Sequence, residues 1–143
     1  MWHGALEVGR VINEEHGPGM LAGQFELLVQ AMPVVGSGPT EFWGVGLTPV
    51  FLRWNFAGAD RLRPFAELAA GFMLIDWKTP RPYTHTRNFN EQVGVGLRIG
   101  RGSHGGLVGG GRFQHISHGS RTQPSPGIDT YSVYVGFSSL GSR

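Results

Sequence analysis

Apolar and polar side chains alternate one for one along seven stretches of this chain, near 2–12, 20–33, 42–56, 64–75, 88–99, 105–117 and 128–138. A period of two belongs to an extended strand whose faces meet different surroundings. It is incompatible with a helical bundle, whose apolar residues recur every three or four positions. Phe25, Leu27, Val29 and Ala31 share one face against Gln24, Glu26 and Gln30; Trp43, Val45, Leu47 and Phe51 oppose Gly44, Gly46 and Thr48. Phe89, Val93, Val95, Leu97 and Ile99 oppose Asn90, Gln92, Gly94, Gly96 and Arg98, and Tyr131, Val133, Val135 and Phe137 oppose Thr130, Ser132, Tyr134 and Gly136. The fold class is therefore all-β, in one domain over 1–143.

A soluble sandwich has the same period with its apolar face turned inward. Two features favour an antiparallel membrane barrel with that face turned outward. Several segments reach about ten residues, enough to cross a bilayer at a tilt. The polar face interleaves Gln24, Glu67, Arg98, Arg112 and Gln114 with glycine, as suits the filled interior of a narrow barrel where buried charges must pair. The 24 glycines and a charged fraction of only 15% agree with this reading. No run of about 18 apolar residues offers a spanning helix. A filled interior also argues against a pore.

The connections 34–41, 76–87 and 118–127 are expected to be the longer set, and 13–19, 57–63 and 100–104 the shorter. Transmembrane barrels keep short turns on the periplasmic side, which places 118–127 at the outer leaflet. Because bacterial barrels have even strand counts, seven segments lead us to expect that a first strand and a cleavable signal are missing from the N-terminus. With no cysteine, disulfides and thiolate metal sites are excluded. A net charge of +2 with scattered arginines leaves no nucleic-acid footprint.

The chemistry-bearing residues lie in the last two segments. His115 and Ser117 are two apart and share a face with Phe113. A regular hairpin around 118–127 puts His115 opposite Asp129, their Cα atoms about 5 Å apart. Asp129 in turn shares the face of Tyr131, Val133, Val135 and Phe137. A serine becomes a nucleophile when a neighbouring base takes its proton, and a carboxylate on the far side of that base fixes its tautomer. His115 as base, Ser117 as nucleophile and Asp129 as acid fit those roles. The candidates for stabilising an oxyanion are the backbone N–H groups of His118, Gly119 and Ser120, with the Ser125 hydroxyl. A bare His-x-Ser more often marks an interface histidine beside a strand-end serine, and it is the shared face with Asp129 that lends it weight. His3, His16, His85, His104 and His118 read as mostly solvated turn residues. No pair of them has metal-ligand spacing with a carboxylate, so neither metal nor cofactor is expected.

Phe113-Gln114-His115-Ile116-Ser117-His118-Gly119, followed by Pro124-Ser125-Pro126-Gly127-Ile128-Asp129, resembles the signature of the PagL-type lipid A 3-O-deacylases. Gly17-Pro18-Gly19-Met20-Leu21-Ala22-Gly23-Gln24-Phe25-Glu26, Gly46-Leu47-Thr48-Pro49, Arg63-Pro64-Phe65-Ala66-Glu67-Leu68 and Phe89-Asn90-Glu91-Gln92-Val93-Gly94-Val95-Gly96 extend the likeness over nearly the whole chain. The resemblance implies an eight-stranded outer-membrane barrel carrying a His-Ser-acid triad at His115, Ser117 and Asp129. Three positions depart from the family pattern: Asp129 where glutamate is familiar, His118 where asparagine follows the serine, and Ser125 where a second asparagine serves the oxyanion site. Loss of an oxyanion donor typically costs about 100-fold or more in rate.

The reading is an outer-membrane serine esterase that deacylates lipid A of lipopolysaccharide, without metal or cofactor. Phe113, Tyr131 and Val133 are expected to hold the acyl chain, and Lys78, Arg87 and Arg121 to attract phosphates. The alternatives are a catalytically weak or inactive structural or lipid-binding outer-membrane barrel and, more remotely, a soluble lipocalin-like carrier. The expected partners are lipid A and outer-membrane lipids rather than nucleic acid. The sequence leaves both the acyl position and a homodimer open.

Overall fold

The computed structural model describes residues 1–38, 42–58, 61–78, 85–100, 106–119 and 127–138. Seven strands follow one another: β1 (Trp2–Val11), β2 (Gly23–Ser37), β3 (Phe42–Phe56), β4 (Leu62–Trp77), β5 (Arg87–Gly100), β6 (Gly106–Ser117) and β7 (Ile128–Ser138). They form one antiparallel meander in sequence order. The sheet curls until Glu7 of β1 reaches Arg112 of β6 across the interior, at 3.5 Å. Among the described residues no ladder joins β1 to β7.

The alternation of the sequence becomes an inside and an outside. The outer wall is predominantly apolar: Leu27, Val45, Leu68, Val93, Val95, Val133 and Phe137 all lie exposed on it. The inside is layered. At the end where β6 finishes and β7 begins, Met32, Val35, Phe42, Met73, Ile75 and Ile116 form a buried apolar layer. Below them lie Gln30, Thr48, Asn90, Gln92 and Gln114, all buried. Deeper still is an ionic cluster in which Arg53 contacts Glu7 at 2.9 Å and Glu67 at 3.0 Å. Arg112 contacts Glu67 at 2.7 Å, and Arg98 contacts Glu26 at 3.2 Å. Tyr134 donates its hydroxyl to Glu67 at 3.1 Å. Buried charge is tolerated only when paired in this way. Gly94 makes the room, since a Cβ there would sit 2.9 Å from a Glu67 carboxylate oxygen.

Three expectations need correction. Phe51 is not on the outer face with Trp43, Val45 and Leu47; it is fully buried. The pairing of β3 with β4 jumps from Leu47–Phe72 to Val50–Ala70, a bulge at Thr48-Pro49. One extra residue inverts the parity of everything after it. Val50 therefore faces out, and Phe51 lies between the guanidinium groups of Arg53 and Arg112, each 5.2 Å from its ring.

The second correction concerns the connections. The link 12–22 is longer than 38–41, against the expected order, because β2 runs on to Ser37. The start expected for that strand at residue 20 belongs instead to a short 3-10 turn, Gly19–Leu21, inside the longer link. Asn13 ties this link down by accepting the Phe25 backbone N–H at 2.6 Å. Third, two histidines read as solvated are not. His3 lies within β1, and His118 is 2% exposed, turned inward with its ring centroid 4.2 Å from that of His85.

Candidate active site on the apolar outer wall

Ile116 is the anchor of the site. It is buried at 2% exposure in the apolar layer, so its neighbours His115 and Ser117 must project from the opposite face. The β6–β7 register pairs His115 with Asp129 and Phe113 with Tyr131, as the regular hairpin requires. His115 Nδ1 and Asp129 Oδ1 are 2.5 Å apart, with the two side chains 39% and 62% exposed. An ionised carboxylate can only accept, so Nδ1 is the donor in this contact, and in the neutral imidazole that tautomer leaves the lone pair on Nε2.

Where that lone pair lies is set by Gly127. A Cβ on Gly127 would fall inside the imidazole, meeting Cε1 and then Nε2. The ring therefore leans out of its own row and over Gly127. Carrying the register one residue past Ile116–Ile128 puts Gly127 opposite Ser117. The basic nitrogen is thus turned toward the serine's row. Among the described residues no hydrogen bond joins Ser117 to His115; the contact that is formed is the histidine–aspartate one.

The remaining expected residues separate into groups. Phe113 and Tyr131 lie beneath the pair on the outer wall, ring centroids 5.2 Å apart, with Tyr131 82% exposed. Gly119 takes a left-handed φ of 67° just after β6 and packs against the Phe89 ring. His118 lies on the interior side of the sheet, away from Phe113 and Tyr131. Ser120, Ser125 and Arg121 lie outside the described residues. Lys78 and Arg87 are exposed at the same end of the sheet as Ser117.

Some of the site escaped sequence reasoning. Gly127 carries no signal of its own beyond the motif it belongs to, although its place opposite Ser117 follows from the same register that pairs His115 with Asp129. Glu91 pairs with His115 on the β5 side, so the imidazole stands between two carboxylate-bearing strands. The alternation of β5 already put Glu91 on the outer wall. Phe89 is the register partner of Ser117, and Phe72 that of Phe89. Their signal was likewise the pairing and not any motif. Among the described residues no group of three metal-ligating side chains occurs.

Comparison with known proteins identifies the family and the fold. The family model described as lipid A 3-O-deacylase (PagL) matches residues 13–138. The lipid A deacylase PagL of Pseudomonas aeruginosa is 29% identical over 92 residues, covering 63% of this chain and 50% of that protein. The match thus spans about half the length of this curated relative. A crystal structure of the outer membrane enzyme PagL has the same fold, with a TM-score of 0.61 over 92% of this chain and 86% of that one at 20% identity.

Proposed function

The chain belongs to the lipid A 3-O-deacylase (PagL) family, and from that membership we propose that it is an outer-membrane serine esterase removing the 3-O-linked acyl chain of lipid A. The observation that supports the reading most is the His115–Asp129 contact, made on an apolar outer wall rather than in a cleft. A substrate dissolved in the bilayer reaches such a wall by lateral diffusion and needs no deep pocket. Phe113 and Tyr131 then rest against neighbouring acyl chains.

In the proposed reaction His115 Nε2 takes the Ser117 hydroxyl proton as Oγ bonds to the ester carbonyl carbon. Asp129 stabilises the imidazolium that forms. The carbonyl oxygen, now an anion, is met by backbone N–H groups at His118, Gly119 and Ser120 and by the Ser125 hydroxyl. The carbon–oxygen bond to the sugar breaks, and its alkoxide takes the proton back from His115. Water repeats the sequence on the acyl-serine, and the fatty acid leaves. Apart from water, each proton-transfer and charge-stabilising step is assigned to a group of the chain itself.

The test is mass spectrometry of lipid A after incubation with the folded protein in detergent. Loss of one hydroxyacyl mass is expected with the wild type, and none with Ser117→Ala. Lipid A left intact by the wild type, together with no labelling of Ser117 by a phosphonate ester, favours the inactive lipid-binding barrel.

A further inference from the structure

Among the described residues, β6 pairs with β5 as far as Phe89–Ser117 and with β7 as far as Ile116–Ile128. The backbone N–H groups assigned above to the oxyanion begin one residue later, where that pairing has stopped. Two side-chain contacts take over. The alternation of β6 carries one residue past its end, so His118 turns inward after the outward Ser117 and is buried. Its ring lies against that of His85, centroids 4.2 Å apart and planes tilted by 47°. Gly119 then takes its left-handed φ of 67°, packed so closely that a Cβ would come within 2.9 Å of the Phe89 ring.

His85 is itself fixed. Its backbone carbonyl accepts the indole N–H of Trp77 at 3.0 Å and the side-chain amide of Asn88 at 2.7 Å. Next to it, the Thr86 carbonyl accepts the Ile75 N–H at 2.8 Å. Trp77 packs in turn on Phe42, ring centroids 5.0 Å apart. The platform under His118 is therefore tied to β3, β4 and β5.

We propose that His85 is a positioning residue for the hydrolysis: the His118 ring, seated on it, sets the backbone of His118 and Gly119 so that their N–H groups meet the oxyanion. The inference rests on the esterase reading above and adds how the segment beyond the end of β6 is held. The His118 side chain lies on the opposite face of the sheet from Ser117, so it acts on the site through the backbone and not by touching substrate. Donors already in place when charge develops need no reorganisation in the transition state, whereas a small misplacement of such a group is costly in rate. The departure from asparagine at 118 is accounted for in this way, as an interior ring in place of an amide.

The test uses the full chain in detergent micelles, with p-nitrophenyl myristate as substrate and two inhibitors of matching chain length. An alkylboronic acid adds to Ser117 Oγ and puts a boronate oxygen where the oxyanion forms. Myristate, the product, binds without becoming tetrahedral. His85→Ala is expected to lower kcat about tenfold to 100-fold with KM within about twofold of the wild type. The inhibition constant of the boronic acid is expected to rise by about the same factor, and that of myristate to stay within about twofold. His85→Phe keeps a flat ring under His118 and is expected to hold kcat within about threefold of the wild type. Migration of each unboiled variant with the wild type on electrophoresis is the control for folding. If His85→Ala fails that control, His85→Leu, which fills the space without a flat face, takes its place with the same expected outcome. An unchanged boronic acid constant in the folded variant, or an equal rise for boronic acid and myristate, overturns the positioning role and leaves the esterase standing. A phenylalanine variant as slow as the alanine one overturns the ring contact as its means. A wild type that hydrolyses no ester overturns the esterase itself, and this inference with it.

Discussion

In the proposed mechanism the residue scale turns on two features: the carboxylate oxygen against His115 Nδ1 and the absence of a Cβ at Gly127. Asp129→Asn keeps the shape of the side chain but offers an amide that can hold the wrong tautomer. A loss on the order of 10²–10⁴ in kcat is expected, with KM little changed. Asp129→Glu is expected to retain most of the rate if the longer arm finds the same nitrogen. Both are read from steady-state hydrolysis of a long-chain ester. Gly127→Ala is the sharper test, because its methyl competes with the imidazole for one space. We expect it to lower kcat at least tenfold while thermal unfolding in detergent stays near that of the wild type, since the position is at the surface. Unimpaired turnover in that variant would mean that the ring does not act from over Gly127. The His115–Asp129 pairing was legible in the sequence because it depends only on parity and a regular hairpin. The lean of the ring was not, because it depends on which neighbour lacks a side chain.

Parity also explains what the strands revealed in advance and what they withheld. Wherever a strand runs without interruption, as in β5, β6 and β7, the inward and outward residues follow the alternation of the sequence. β3 breaks the rule at Thr48-Pro49, and no local signal says on which side of the proline the count resumes. A proline in a strand advertises a lost ladder donor, which is compatible with an edge, a strand start or a bulge. The interior decides among these. Arg53 stacks on Phe51 and Phe65, with its carbon 4.6 Å from the Phe65 ring, and that arrangement requires Phe51 inside. Deleting Pro49 and Val50 together would bring Phe51 directly after Thr48 and turn Phe51 and Arg53 toward the outer wall. The expected result is a chain that fails to reach the compact species, seen as loss of the faster-migrating unboiled band on electrophoresis. Substituting Pro49 by Ala keeps the count and should preserve that band.

On the scale of the whole molecule, the interior has the opposite character to the wall. Glu67 contacts Arg53, Arg112 and Tyr134, so it joins β3, β6 and β7 to β4. Glu67→Ala leaves two guanidinium groups short of a partner, and removing one member of a buried ion cluster typically costs about 3–5 kcal/mol. The expected readout is a shift of the urea unfolding midpoint in detergent, with the slope of the transition unchanged. The filled cross-section also predicts no steady single-channel conductance in a planar bilayer. A discrete open level would contradict the interior described above.

The polar cluster takes a member from every strand: Glu7, Glu26, Arg53, Glu67, Arg98, Arg112 and Tyr134 stand on β1 through β7 in turn. Within one hairpin only Arg53 meets an opposite charge, Glu26 or Glu67, whereas Glu7, Arg98 and Arg112 find their partners two or more strands away, so a partly assembled sheet would drag unmatched charge into hydrocarbon. The cheapest route keeps those side chains hydrated at the membrane surface until the ribbon has curled on itself, and only then lets it sink. Insertion should therefore be a single late event, with its timing written into the distribution of charge along the chain.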